Sequence, residues 1–439
     1  MIFYSTNKQS TPASLKKATL EGLASDGGLY IPSAIPTFSK EEIALLEDAP
    51  FNDIAFAIAK KFNGGEIPDD HLWQIIESCF TFNTPLVELE KNTYVEELFH
   101  GPTLAFKDYG ARFLAHLTGY FAQEDHTLIT ILVATSGDTG SAVAYGFKGV
   151  PNTRVVLLYP SGKVSRLQEQ QLTTVGGNVT ALEIYGDFDD CQRLVKQAFM
   201  DAELKQRLSL TSANSINISR LIPQTFYYAW GSLQLKARHP GKEALFSVPS
   251  GNYGNLTAGV LAKKMGFPIA HFIAGSNAND SVTRYLEEGR YEPHPTIGTL
   301  SSAMDVGNPS NFARLRHIYG DDYRAMAADI SGHAISDTET LDTIRTVYDR
   351  FGYIMDPHTA VGFRALEKFR QANGASTEPA AIMSTAHPAK FIEAIKEALD
   401  RDITIPDRLQ AVLDRKKIAI PISADYRELT EFLTGLDDR

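Results

Sequence analysis

From about residue 90 onward the sequence alternates short β-branched runs with amphipathic stretches, and this alternation limits the fold more than any other feature. The runs cover residues 127–133, 154–158, 178–184, 245–248 and 269–274, each followed by apolar residues at helical spacing. Strands separated by helices cannot join through tight hairpins; crossover helices make them parallel and cover both faces of the sheet. The predicted class is therefore α/β. In such sheets ligands meet the carboxyl ends of strands, where loops run into helix N-termini. The first ninety residues read differently. Residues 15–23, 40–46, 53–61 and 71–80 carry apolar residues at helical spacing, punctuated by Asp26-Gly27-Gly28 and Gly64-Gly65, which predicts a small helical domain.

The chain has 439 residues, enough for a large core and two or three domains. Its 42 Lys plus Arg against 53 Asp plus Glu give a net charge of −11, so no chain-wide footprint for nucleic acid exists, although a local basic pocket for a small anion is compatible with it. Two cysteines, Cys79 and Cys191, make neither a disulfide framework nor a paired-cysteine metal site and fit a reducing compartment. No charged-then-apolar leader is visible at the N-terminus and no stretch approaches about 18 uninterrupted apolar residues, so a cytoplasmic, unanchored protein is expected.

Two strand-end loops are rich in small residues and free donors. Thr135-Ser136-Gly137-Asp138-Thr139-Gly140 follows the first run, and Ser250-Gly251-Asn252-Tyr253-Gly254-Asn255 follows the fourth. Helix N-termini leave unpaired N–H groups and about half a positive charge, so each loop can cup an anion. Each alone also fits an ordinary βα turn with an N-cap. Nucleotide motifs do not compete: Gly162-Lys163 is followed by Val164 and has Leu157 where a phosphate-binding P-loop needs its first glycine, and no GxGxxG occurs. No metal pattern is present, and a lone histidine such as His271 reads as structural.

Lys107 closes the apolar segment His100-Gly101-Pro102-Thr103-Leu104-Ala105-Phe106 and opens a helix. A lysine at such a junction fits two arrangements. In one it sits in a dry pocket, where desolvation frees the neutral amine for Schiff-base chemistry; in the other it snorkels to solvent.

The segment 100–108 resembles the pyridoxal-phosphate lysine motif of the threonine synthase family, whose fold is type II among pyridoxal-phosphate enzymes. Further blocks similar to that family follow in order: Ala134-Thr135-Ser136-Gly137-Asp138-Thr139-Gly140, residues 212–220, Pro249-Ser250-Gly251-Asn252-Tyr253-Gly254-Asn255, and Thr385-Ala386-His387-Pro388-Ala389-Lys390-Phe391, with residues 22–32 resembling the family's entry segment. The similarity spans essentially the whole chain, and several blocks in order select the pocket arrangement for Lys107.

The resemblance implies two mainly parallel-sheet lobes around a cofactor cleft with a small, mainly helical N-terminal domain. The implied boundaries are 1–90, 91–400 for the catalytic lobes, and 401–439 for a C-terminal extension. It implies pyridoxal 5'-phosphate as cofactor, with Lys107 linked to its aldehyde, Gly251, Asn252, Tyr253, Gly254 and Asn255 around its phosphate, Thr385 facing the ring nitrogen, and Asp138 near the ring's 3′ oxygen. Asp138 stands where many relatives of this fold place Asn, and Tyr253 where Phe is common. The implied reaction converts O-phospho-L-homoserine and water to L-threonine and phosphate by γ-elimination and β-hydration. Thr135, Ser136 and Gly137 would meet the substrate carboxylate. Arg220, with Asn214, Ser215 and Asn217, would hold its phosphate, because a planar guanidinium can make two parallel bonds; Lys163 is a second candidate. A structural Arg220 bonded to backbone carbonyls and a solvated Lys163 are the competing readings. A phospho-lyase releasing 2-oxobutyrate and a non-catalytic protein that kept the fold are the alternative functions. A monomer or homodimer without nucleic-acid or membrane partners is expected.

Overall fold

The computed structural model of the chain describes residues 1–135, 137–374 and 377–436. Among these residues the strands are β1 (Phe3–Ser5), β2 (Tyr30–Pro32), β3 (Leu86–Glu90), β4 (Thr93–Glu97), β5 (Ile129–Ala134), β6 (Thr153–Pro160), β7 (Val179–Tyr185), β8 (Ser209–Thr211), β9 (Ala244–Pro249), β10 (Ile269–Ser276), β11 (Ile330–Ala334), β12 (Ala380–Ser384) and β13 (Ile420–Ser423). The chain divides into two compact units, each drawn from three segments: Met1–Leu15, Leu23–Phe106 and Leu221–Thr404 form the first, and Lys16–Gly22, Lys107–Arg220 and Ile405–Arg439 the second.

The first unit holds the antiparallel pair β1–β2 and a sheet of order β11-β10-β9-β12-β4-β3, parallel throughout except for the β3–β4 hairpin. Helix Pro357–Ala372 starts at Asp356, whose carboxylate accepts the N–H groups of His358 and Thr359, and Pro357 sits in the first turn, where its missing N–H costs nothing. Its Ala360, Phe363 and Leu366 share a core with Val95, Ile273 and Ile382 of the sheet. Helices Lys40–Leu46, Phe51–Asn63 and Asp69–Cys79 bear out the helical N-terminal stretch. His271 is structural here, bonding Ser331 Oγ through Nε2 at 2.8 Å and stacking on Phe369.

The second unit holds the all-parallel sheet β13-β7-β6-β5-β8. Successive residues of its strands alternate between faces: Ile131, Val133, Val155 and Leu157 enter one buried cluster, Leu132, Val156 and Leu158 another. Burial on both faces explains why these strands read as continuous apolar runs. At roughly 25 cal/mol per Å² of apolar surface removed from water, two such clusters dominate the unit's stability.

Candidate active site

In the first unit β9 ends at Pro249 and its loop runs into helix Gly254–Lys264. Tyr253, the N-cap, has φ of 59° and is buried, a left-handed conformation that a bulky residue adopts only when its surroundings impose it. Gly251 is required for a different reason. A Cβ there would stand 2.5 Å from the Cα of Met304. The opposing coil is itself fixed: the Ser310 N–H donates to Asn252 Oδ1 at 2.7 Å, and Asn277 Nδ2 donates to the Asp305 carboxylate at 2.8 Å. Burial pushes the Asp305 carboxyl up, against the opposing effect of its hydrogen bonds to Thr299 and Asn277.

Asn255 opens the same helix with its oxygen already engaged, accepting the hydroxyls of Tyr227 and Tyr228 at 2.8 Å each. Its Nδ2 is buried and has no hydrogen-bond partner among the described residues, and the same holds for Nδ2 of Asn311. Asn311 Nδ2 lies 3.2 Å from where a Cβ of Gly254 would be, and its Oδ1 accepts from Arg314 at 2.6 Å. Arg314 is fully buried, which lowers its guanidinium to about 9, and it also bonds the Tyr30 carbonyl. Buried donors are normally paired, and these two amide nitrogens, each at a helix start, could receive an anion. Sequence reasoning passed over Asn311. Its only local signal is the turn-forming run Asn308-Pro309-Ser310.

Thr385 follows β12 and is buried; its carbonyl accepts the N–H of Phe106, the residue before Lys107, at 2.9 Å. Ala105 and Ala386 form a bridge, Leu104 is held at φ 59°, and Lys390 Nζ donates to the Thr103 carbonyl at 3.1 Å. The segment that leads into Lys107 is thereby pinned to the end of β12.

In the second unit Lys107 is the first residue of helix Lys107–Glu124, and its side chain is only 18% exposed. Its Nζ lies 3.8 Å from Oδ2 of Asp138, the first residue of helix Asp138–Phe147 and itself buried. A carboxylate in a first helical turn is favoured by the helix dipole. Thr135 caps this turn, its hydroxyl oxygen accepting the N–H groups of Gly137 at 3.0 Å and Gly140 at 2.9 Å. Ser136 lies outside the described residues.

The remaining candidates of this unit stand in a separate turn. Asn217 is fully buried and both ends of its amide are engaged, Nδ2 donating to the Thr19 carbonyl and Oδ1 accepting from the Ser219 N–H, each at 2.9 Å. Asn214 accepts the Asn217 N–H through its carbonyl, and Ser215 is half-buried. Arg220 is buried, donates from Nη1 to the Ala213 carbonyl at 2.7 Å, and is lowered to about 10 by desolvation. Lys163 is exposed in the turn after β6. Among the described residues no His, Cys, Asp and Glu group could hold a metal, and no helix is long and apolar enough to cross a membrane.

Residues 79–385 match the family described as "Pyridoxal-phosphate dependent enzyme", residues 2–80 the "Threonine synthase N terminus", and residues 359–433 "Threonine synthase, C-terminal". The threonine synthase of Serratia marcescens is 43% identical over 439 residues, covering 99% of this chain and 100% of that one. The crystal structure of threonine synthase from Escherichia coli is similar with a TM-score of 0.88 at 40% identity, covering 99% of this chain and 100% of that one. The structure of pyridoxal-phosphate-bound threonine synthase from Brucella melitensis is similar with a TM-score of 0.93 at 36% identity, covering 99% of each chain.

Proposed function

The chain belongs to the threonine synthase family of pyridoxal-phosphate-dependent enzymes, and from that membership we propose that it converts O-phospho-L-homoserine and water to L-threonine and phosphate. The observation that carries the reading is the placement of Lys107 at the start of its helix, largely buried and 3.8 Å from a carboxylate.

When bound, the cofactor supplies the electron sink for negative charge developing next to the substrate's amino carbon. Lys107 would hold the cofactor through its aldehyde, and its largely buried amine beside Asp138 would carry the protons taken from the substrate's Cα and Cβ. The backbone N–H groups of residues 251–255 would hold the cofactor phosphate, joined by the amide nitrogens of Asn255 and Asn311. Thr385 presents a neutral hydroxyl to the ring nitrogen and forces no proton onto it. Thr135 and Gly137 place the substrate carboxylate at the start of helix Asp138–Phe147, where the Thr135 hydroxyl, which donates to the Gly137 carbonyl at 3.4 Å, can turn to the carboxylate.

Arg220 stabilises the charge that builds on the leaving phosphate, and its burial strengthens that interaction by excluding water. Asn214, Ser215 and Asn217 shape the turn that presents it, and Lys163 draws the phosphate in from solvent. We assign residues 1–90, 91–400 and 401–439 as entry domain, catalytic part and C-terminal extension, in a cytoplasmic monomer or homodimer with no nucleic-acid or membrane partner. Replacing Lys107 with Ala tests the assignment: the near-visible absorbance of the lysine-linked cofactor and turnover should disappear together. Normal absorbance and rate in that variant would refute it.

A further inference from the structure

Gln168 is the third residue of helix Arg166–Thr173, and its amide faces two ways. Oε1 accepts from the Ser165 N–H at 3.3 Å and the Ser165 hydroxyl at 3.1 Å, while Ser165 Oγ accepts the Gln168 N–H at 3.3 Å, a complete capping box. Nε2 points to Asp138 Oδ1 at 3.4 Å. The two ends are fixed by chemistry, since an ionised carboxylate only accepts and the Ser165 N–H only donates. The other Asp138 oxygen is the one 3.8 Å from Lys107 Nζ.

The backbone is bare where the amide passes. A Cβ on Gly137 would stand 2.4 Å from the Gln168 amide carbon, and Gly137 has φ of 145°, which side-chain-bearing residues rarely adopt. At 3.4 Å the contact is long for a hydrogen bond, so its effect is to select which carboxylate oxygen faces Lys107 rather than to bind strongly.

We infer that Gln168 is a positioning residue for this reaction: one amide ties the start of its helix to Asp138 and so sets the Asp138 carboxylate against the Lys107 nitrogen. The inference rests on the reading of Lys107 as the cofactor lysine. Helices Lys107–Glu124 and Arg166–Thr173 both pack on the Asp138 helix. Their charged groups are Lys107, Asp108, Arg112 and Glu124 on the first and Arg166 and Glu169 on the second, with Arg154 on the neighbouring strand β6. Glu169 is engaged by Lys417 at 2.7 Å, and Lys107 forms an ion pair with Asp138.

Three variants of the cofactor-loaded protein test the inference. Gln168→Glu keeps the acceptor of the capping box but sets a carboxyl against Asp138 in place of a donor, so the thermal midpoint should fall by less than in a variant that loses the cap as well. Its kcat should fall about tenfold, and KM should change by less than about threefold. The pH midpoint of the bound-cofactor absorbance change should move up, because added negative charge favours a proton on the lysine nitrogen. Ser165→Ala removes the cap but leaves the amide, so it should lower the thermal midpoint and leave the pH midpoint in place. Gln168→Met loses both contacts and should lower the thermal midpoint and kcat together. A Gln168→Glu protein with wild-type kcat and pH midpoint overturns the inference, as does a Ser165→Ala protein whose pH midpoint shifts equally. Failure of the wild-type chain to take up cofactor would overturn the reading of Lys107 itself, a result distinguishable from both.

Discussion

The side-chain oxygen of Asn255 accepts the Tyr228 hydroxyl at 2.8 Å, and Tyr227 reaches the same oxygen at the same distance. With both hydroxyls donating to the oxygen, the buried amide nitrogen is left for another acceptor. Asn255→Asp retains both tyrosine bonds and removes only the donor, while adding a negative charge where a phosphate is to bind. The cofactor-free protein should keep its thermal midpoint, and its affinity for pyridoxal phosphate, followed by absorbance titration, should weaken about tenfold or more. Unaltered affinity would remove Asn255 from the phosphate site.

Arg220 combines burial with a bond to the Ala213 carbonyl, so its guanidinium is held in one orientation. Arg220→Lys keeps a positive charge but loses the fork. We expect kcat/KM for O-phosphohomoserine to fall about a hundredfold, with cofactor affinity nearly unchanged. L-Homoserine, which lacks the phosphate, should be a very poor substrate for wild type and little affected by the substitution. If the variant loses stability but keeps its preference for the phosphorylated substrate, Arg220 supports the turn and does not contact phosphate.

Glu96 on β4 is fully buried, and neither carboxylate oxygen has a hydrogen-bond partner among the described residues. Its Oε2 lies 2.2 Å from where a Cβ of Gly231 would be, so the carboxyl is packed directly against helix Gln224–Arg238. Burial raises its pKa well above the ordinary 4.5. The folded chain therefore holds this proton at pH values where the unfolded chain has released it, and stability declines as pH rises from about 4.5 toward the folded value. Glu96→Gln removes that dependence. Its stability advantage over wild type in urea unfolding should be larger at pH 8 than at pH 5; an equal difference at both would contradict a buried neutral carboxyl.

Strands built on mainly apolar runs were legible, which is why β5, β6, β7, β9 and β10 fall on the predicted runs. The hairpin β3–β4 and strand β12 were not. Thr93–Glu97 ends in two glutamates, one buried and one bonded to Tyr353 and His100, and Ala380–Ser384 sets one β-branched residue, Ile382, among alanine, methionine and serine. In the site, small residues at strand ends exposed the two loops. Gln168 and Asn311 left no such trace, since the first reaches Asp138 across 30 residues and the second acts through Arg314 and an opposing helix start. Three-dimensional convergence of polar groups distant in sequence has no local pattern.

The chain is expected both to eliminate phosphate and to return water to the substrate carbon. Purified, cofactor-loaded protein should be incubated with O-phospho-L-homoserine, and threonine, 2-oxobutyrate and inorganic phosphate quantified in the same samples. Threonine and phosphate should accumulate in equal amounts with little 2-oxobutyrate. Phosphate released with 2-oxobutyrate in place of threonine, or no phosphate at all, would contradict the account.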